Sequence, residues 1–142
     1  MKKTHYLLPV IFIWLASCTT KPIEVVEKTY PDGSPKTIRY YSDDSKKELL
    51  KEIVYYQDGQ KKMEGAFENG ERKGKWTYWY PNGNKWSEGH YNKGIENGRK
   101  TIWHENGQKY YEGALENGQR VGIWRFWSKE GELLKEIEYS KK

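Results

Sequence analysis

Cysteine occurs once in these 142 residues, at Cys18, and histidine only three times. That scarcity excludes an intrachain disulfide, a Cys-x-x-Cys pair and a His-x-x-x-His zinc site. A Gly-x-Ser-x-Gly elbow and a Walker loop are also missing. The run Gly70 to Lys75 has phosphate-loop composition but lacks the spacing and the following Ser or Thr. His90 and His104 fall at different points of the sequence pattern and read as surface or half-buried strand residues. The chain therefore reads as a non-enzyme, with no catalytic residues, no metal site and no cofactor. Long hydrophobic runs are scarce too. The single one, Tyr6 to Ala16, is too short for a comfortable membrane span. Basic residues exceed acidic ones by only five, and the excess is interspersed with acidic residues rather than gathered on one stretch. A nucleic-acid partner, which needs a concentrated basic face, is excluded on that ground.

What the sequence does have is a repeat. Turn glycines stand at Gly59, Gly83, Gly107 and Gly131, each 24 residues from the next. The same interval relates Gly65, Gly89 and Gly113, then Gly70, Gly94 and Gly118, then Gly74, Gly98 and Gly122. Columns in one register without insertions mark a repeat architecture. Each unit contains a strand such as Lys75 to Tyr80, an Asp-Gly or Asn-Gly turn, and a second strand such as Lys85 to Tyr91. A glycine-bracketed loop such as Gly94 to Gly98 or Gly70 to Gly74 follows. In the loop Gly70 to Gly74, Glu71, Arg72 and Lys73 are expected to turn outward to solvent. Ahead of the regular units, Ile23 to Tyr30 reads as an edge strand, Lys36 to Tyr41 as a strand and Ser42 to Lys47 as a polar loop. Glu48 to Tyr56 is helix-friendly in composition, but it runs into Val54-Tyr55-Tyr56 before Asp58-Gly59 and reads as a strand. The predicted fold is all-β: one elongated antiparallel meander of about ten strands, each paired with its sequence neighbour.

Large aromatics recur four residues before each turn glycine, at Tyr55, Trp79, Trp103 and Trp127. Val54, Tyr78, Ile102 and Phe126 precede them by one residue and must point to the opposite face. Phe67, Tyr91, Leu115 and Tyr139 form a third column. Both faces thus carry apolar ladders, yet the chain is too hydrophilic for a thick core, so the sheet must be thin. Glu64, Glu88, Glu112 and Glu136 line up across it, close to Lys61, Lys62, Lys85 and Lys109. Carboxylates displayed along a line suit cross-strand charge pairing rather than convergence on a metal or a substrate. Mid-strand Gly65, Gly89 and Gly113 suggest a ring lying flat over the backbone, or a bend.

The amino terminus has a different character. Lys2 and Lys3 precede the apolar run, and Leu15-Ala16-Ser17-Cys18 resembles the lipobox of bacterial lipoproteins. That resemblance implies cleavage before Cys18 and acylation of its thiol and new amino group. Residues 1–17 are then a signal peptide, 18–22 the lipidated cysteine and its tether, and 23–142 the repeat domain. It also implies a lipid-anchored place in a bacterial cell envelope, and Thr19 after the cysteine resembles outer-membrane sorting.

The segment from Glu64-Gly65-Ala66-Phe67 through Gly70 and Gly74 to Trp76 resembles the MORN repeat. The copy from Tyr111-Glu112-Gly113 through Gly118 and Gly122 to Trp124 fits that pattern best. The copy between keeps its glycines but has Lys100 where the tryptophan belongs. The 24-residue period is closer to the bacterial variant of the repeat, often labelled an antitoxin of the YwqK type. Three functional expectations result. The first is a membrane-anchored scaffold that binds a protein through Tyr55, Trp79, Trp103 and Trp127, with terminal strands open to a second copy. The second is an immunity or antitoxin protein acting outside the cytoplasm. The third is glycan or phospholipid binding by the aromatic face.

Overall fold

The computed structural model describes residues 21–140. The signal peptide expected over residues 1–17 and the acylation site expected at Cys18 lie outside the described residues. The described chain is all strand and turn. Its strands are β1 (Ile23–Thr29), β2 (Pro35–Tyr41), β3 (Leu49–Tyr55), β4 (Lys61–Glu68), β5 (Glu71–Trp79) and β6 (Lys85–Asn92). They continue as β7 (Ile95–Glu96), β8 (Gly98–Trp103), β9 (Lys109–Glu116), β10 (Gln119–Trp127) and β11 (Leu133–Tyr139). Ten of them follow one another across a single antiparallel sheet in chain order, and the two-residue β7 pairs only with β6. The meander read from the glycine columns is the fold, with β1 and β11 at opposite edges.

One transverse row shows how the repeat becomes a sheet. Ile38 lies opposite Ile53, Ile53 opposite Glu64, and Glu64 opposite Thr77. Thr77 faces Glu88, Glu88 faces Thr101, and Thr101 faces Glu112. Arg125 then stands between Glu112 and Glu136. Residues 24 apart thus repeat along the row every second strand, which is why a strict period in the sequence produces unbroken ladders. Among the described residues, the buried hydrophobic side chains are Ile38, Tyr41, Ile53, Trp76 and Trp124. Among the described residues no second layer covers either face. Burial comes from neighbouring side chains lying over one another on a single sheet.

The two kinds of hairpin differ from the sequence expectation. Asp-Gly and Asn-Gly dipeptides suit two-residue turns with positive φ at both residues, but at Asn82-Gly83 only the glycine is left-handed (Gly83, φ 86°). Tyr80 N–H donates to Asn84 O and Gly83 N–H to Tyr80 O, which closes a three-residue loop. The Asn82 side chain accepts from Asn84 N–H at 3.0 Å, the local bond that suits Asn or Asp to such a loop. Because the residue before the glycine keeps an ordinary φ, Glu130 fits before Gly131, with Ser128 Oγ accepting from its N–H. The tight two-residue turns lie at the other end of the strands: Asn69-Gly70, Lys93-Gly94 and Asn117-Gly118 have positive φ at both residues. Since Asn69-Gly70 completes the reversal alone, Glu71 to Lys73 are not an outward loop but the start of β5.

Candidate binding surface

Gly74 has φ 64° and sits inside β5, where the register with β4 slips between Gly65 and Ala66. A bulge of this kind re-aims the side chain that follows it. Trp76 is the result: its ring lies flat against Gly65, where a Cβ would sit 2.1 Å from the indole, and Nε1 donates to Ala66 O at 3.1 Å. Phe67 packs edge-on at 5.2 Å between centroids and Tyr91 at 6.0 Å, so Trp76 is wholly buried. Arg72 closes the top, its guanidinium 4.2 Å from the Trp76 ring centroid and 3.5 Å from the Tyr91 hydroxyl. Trp124 repeats this arrangement over Gly113, with Nε1 to Ala114 O, Arg120 at 4.4 Å and Tyr139 as its edge-on neighbour.

The unit between them departs from the plan. Glu96 stands where Arg72 and Arg120 stand, Lys100 in place of the tryptophan, and Leu115 in place of the tyrosine. Lys100 lies over Gly89, 3.2 Å from the position of an added Cβ, and pairs with Glu96, which also accepts from the Tyr91 hydroxyl at 3.1 Å. A polar network therefore separates two cation-capped indole clusters.

A column that sequence reading passed over joins the units. The Tyr30 hydroxyl donates to Tyr55 O at 2.8 Å, Tyr56 to Trp79 O at 2.7 Å, and Tyr80 to Trp103 O at 2.9 Å. His104 takes the tyrosine's place, with Nε2 3.2 Å from Trp127 O. The acceptors are the backbone carbonyls of the four residues expected to form the binding surface. Tyr55, Trp79, Trp103 and Trp127 are all half-buried. Lys85 lies over the Trp103 ring at 5.6 Å and Lys109 over Trp127 at 5.3 Å. The periodicity Tyr56, Tyr80, His104 was the available signal, obscured because its last member changes residue type. His90 is exposed, its ring beside Arg99 O.

The glutamate row is charge-paired along its length. Lys61 and Lys51 lie 2.8 and 3.6 Å from Glu64, Lys85 and Lys75 lie 2.9 and 3.9 Å from Glu88, and Lys109 and Arg99 both lie 2.8 Å or less from Glu112. Burial works against ionisation of each of these carboxyls. The flanking cations outweigh it and hold all three below the ordinary glutamate range. No group of His, Cys, Asp and Glu among the described residues is placed to hold a metal ion.

Aromatic surface remains beyond what the ladders bury. Trp86 is 47% exposed and Tyr110 46%, one unit apart, with Trp86 edge-on to Tyr78 and Tyr110 against His104. The indole clusters correspond to a known signature. A family model described as a MORN repeat variant matches residues 72–93 and 120–141. The first match spans Arg72, Trp76 and Tyr91, and the second Arg120, Trp124 and Tyr139. No curated protein matches the chain. With two units fitting the family pattern and the whole described chain folded as one sheet of such units, this is a MORN-type repeat protein.

Proposed function

We propose that the chain is a non-catalytic scaffold, held at a bacterial envelope membrane by lipid on Cys18, that binds another protein through its aromatic sheet. Trp86 and Tyr110 carry this reading: two large rings left nearly half exposed on a sheet whose other aromatics are covered by neighbours. Trp and Tyr dominate binding hot spots because they bring much contact area at little conformational cost. Half-buried Trp79 and Trp103 line the opposite face, where Lys85 lies over Trp103 and pairs with Glu88, and offer a second aromatic contact there.

The test is capture of envelope proteins by the full chain. It is compared with two variants, Trp86→Ala with Tyr110→Ala and Trp79→Ala with Trp103→Ala, each checked by circular dichroism. A defined partner lost with either folded variant supports the reading. Partner binding unchanged in both, or no specific partner at all, refutes it. Challenge of deletion cells by sibling cells separates the immunity reading, and glycan arrays with liposomes separate the third.

A further inference from the structure

The last unit breaks the charge pattern of those before it. Lys61, Lys85 and Lys109, which clamp the glutamate row, are succeeded 24 residues on by Leu133. Lys75 and Arg99, which support it from the preceding strand, are succeeded by Ile123. Both replacements are exposed, Leu133 by 53% and Ile123 by 46%, beside Leu134 at 63%. Glu136 is left with Arg125 at 2.5 Å, and Glu138, two residues along the same face, has no ion pair among the described residues. Beyond β11 no described strand follows. Open edges are normally blunted by bulges, proline or inward charge. β1 has two register breaks, whereas β11 has one, at its hairpin end.

A second copy paired through its own β11 over the charged stretch does not fit this edge. A two-fold antiparallel pair must place residues of the same face opposite one another. Centring it on Glu136, Ile137 or Glu138 sets glutamate against glutamate, and centring it on Lys135 sets lysine against lysine. The unbalanced charge calls instead for a strand that alternates basic and apolar residues. From these observations we infer that β11 takes up an extended segment of a partner protein as a twelfth strand. Its basic side chains lie over Glu136 and Glu138, and its apolar side chains, on the other face, meet Leu134. Main-chain hydrogen bonds supply affinity, and the alternating side chains supply selectivity. The inference rests on the protein-binding reading above but places a contact away from Trp86 and Tyr110.

The experiment uses the full chain with two labelled heptapeptides, Thr-Lys-Val-Lys-Val-Lys-Thr and its counterpart with Glu for Lys. Binding is read by fluorescence anisotropy and the site by hydrogen exchange. The basic peptide is expected to bind about 10-fold more tightly, the sum of two reversed cross-strand charge pairs, and to slow exchange in β11. Glu136→Lys with Glu138→Lys is expected to invert the preference. Glu138→Lys alone, at a carboxylate with no described ion-pair partner, is expected to reduce it and leaves the Arg125 pair intact should the double variant misfold. Absence of binding, equal affinities, or a preference unmoved by these substitutions overturns the edge site. If envelope capture through the aromatic face persists, only the edge site falls; if that capture fails as well, the scaffold reading falls with it.

Discussion

Gly65 and Gly89 occupy the same place in successive units, yet different side chains lie above them. At Gly65 an added Cβ would meet the rigid indole of Trp76 at 2.1 Å, while at Gly89 it would meet the end of Glu96 and the flexible stem of Lys100 at 3.1 and 3.2 Å. Gly65→Ala is therefore expected to cost about 2–3 kcal/mol, as overpacking against an immovable ring does, and Gly89→Ala under ~1 kcal/mol. Urea unfolding of the two variants measures the difference, and equal losses would contradict the ring-over-glycine packing. Tyr80→Phe removes one hydroxyl bond to a carbonyl of the next unit and is expected to cost about 1 kcal/mol. A midpoint unchanged from wild type would show the hydroxyl column to be incidental. The mid-strand glycines were legible in the sequence as sites of close approach. Which ring covers Gly65 and Gly113 was not, because the bulge at Gly74 that turns Trp76 onto Gly65 depends on pairing between β4 and β5. The hydroxyl column was missed for a related reason: its acceptors are backbone carbonyls, which leave no mark on the sequence.

At the scale of strands, the glutamate row couples stability to pH. Glu64, Glu88 and Glu112 hold their protons less tightly folded than unfolded. Their contribution is thus complete above the ordinary glutamate value of 4.5 and is lost as pH falls through the depressed folded values. The urea midpoint is expected to drop between about pH 6 and about pH 3, and Glu→Gln at all three positions to flatten that drop. An undiminished drop in the triple variant would locate the acid sensitivity elsewhere. The middle unit offers an opposite change. Replacing Glu96 by Arg and Lys100 by Trp together restores the cation-capped ring over Gly89 and is expected to add about 1–2 kcal/mol. Loss of stability instead would mean that the Glu96–Lys100 pair is matched to its surroundings. Sequence reading located this departure at Lys100, but the compensating Glu96 became visible only when the two side chains were seen together.

For the molecule as a whole, strand order and the single-sheet architecture followed from the 24-residue period, because a meander repeats contacts wherever the sequence repeats residues. The length of the strands did not. The reversal was assigned to the glycine-bracketed loop, whereas two left-handed residues suffice for it and the strands extend to fill the rest. The proposed binding surface was the least legible part. Aromatic periodicity marks rings that bury one another as readily as rings left open, and only burial separates Trp76 from Trp86. A sheet with no second layer should distribute stability by nearest neighbours, as stacked repeats do. The most direct measurement is native-state hydrogen exchange on Trp76→Ala, a substitution expected to cost about 3–5 kcal/mol at a fully buried tryptophan. Protection should fall most in β4, β5 and β6 and stay near wild type in β10 and β11. An equal loss across all the strands would show that the sheet is held by one shared core.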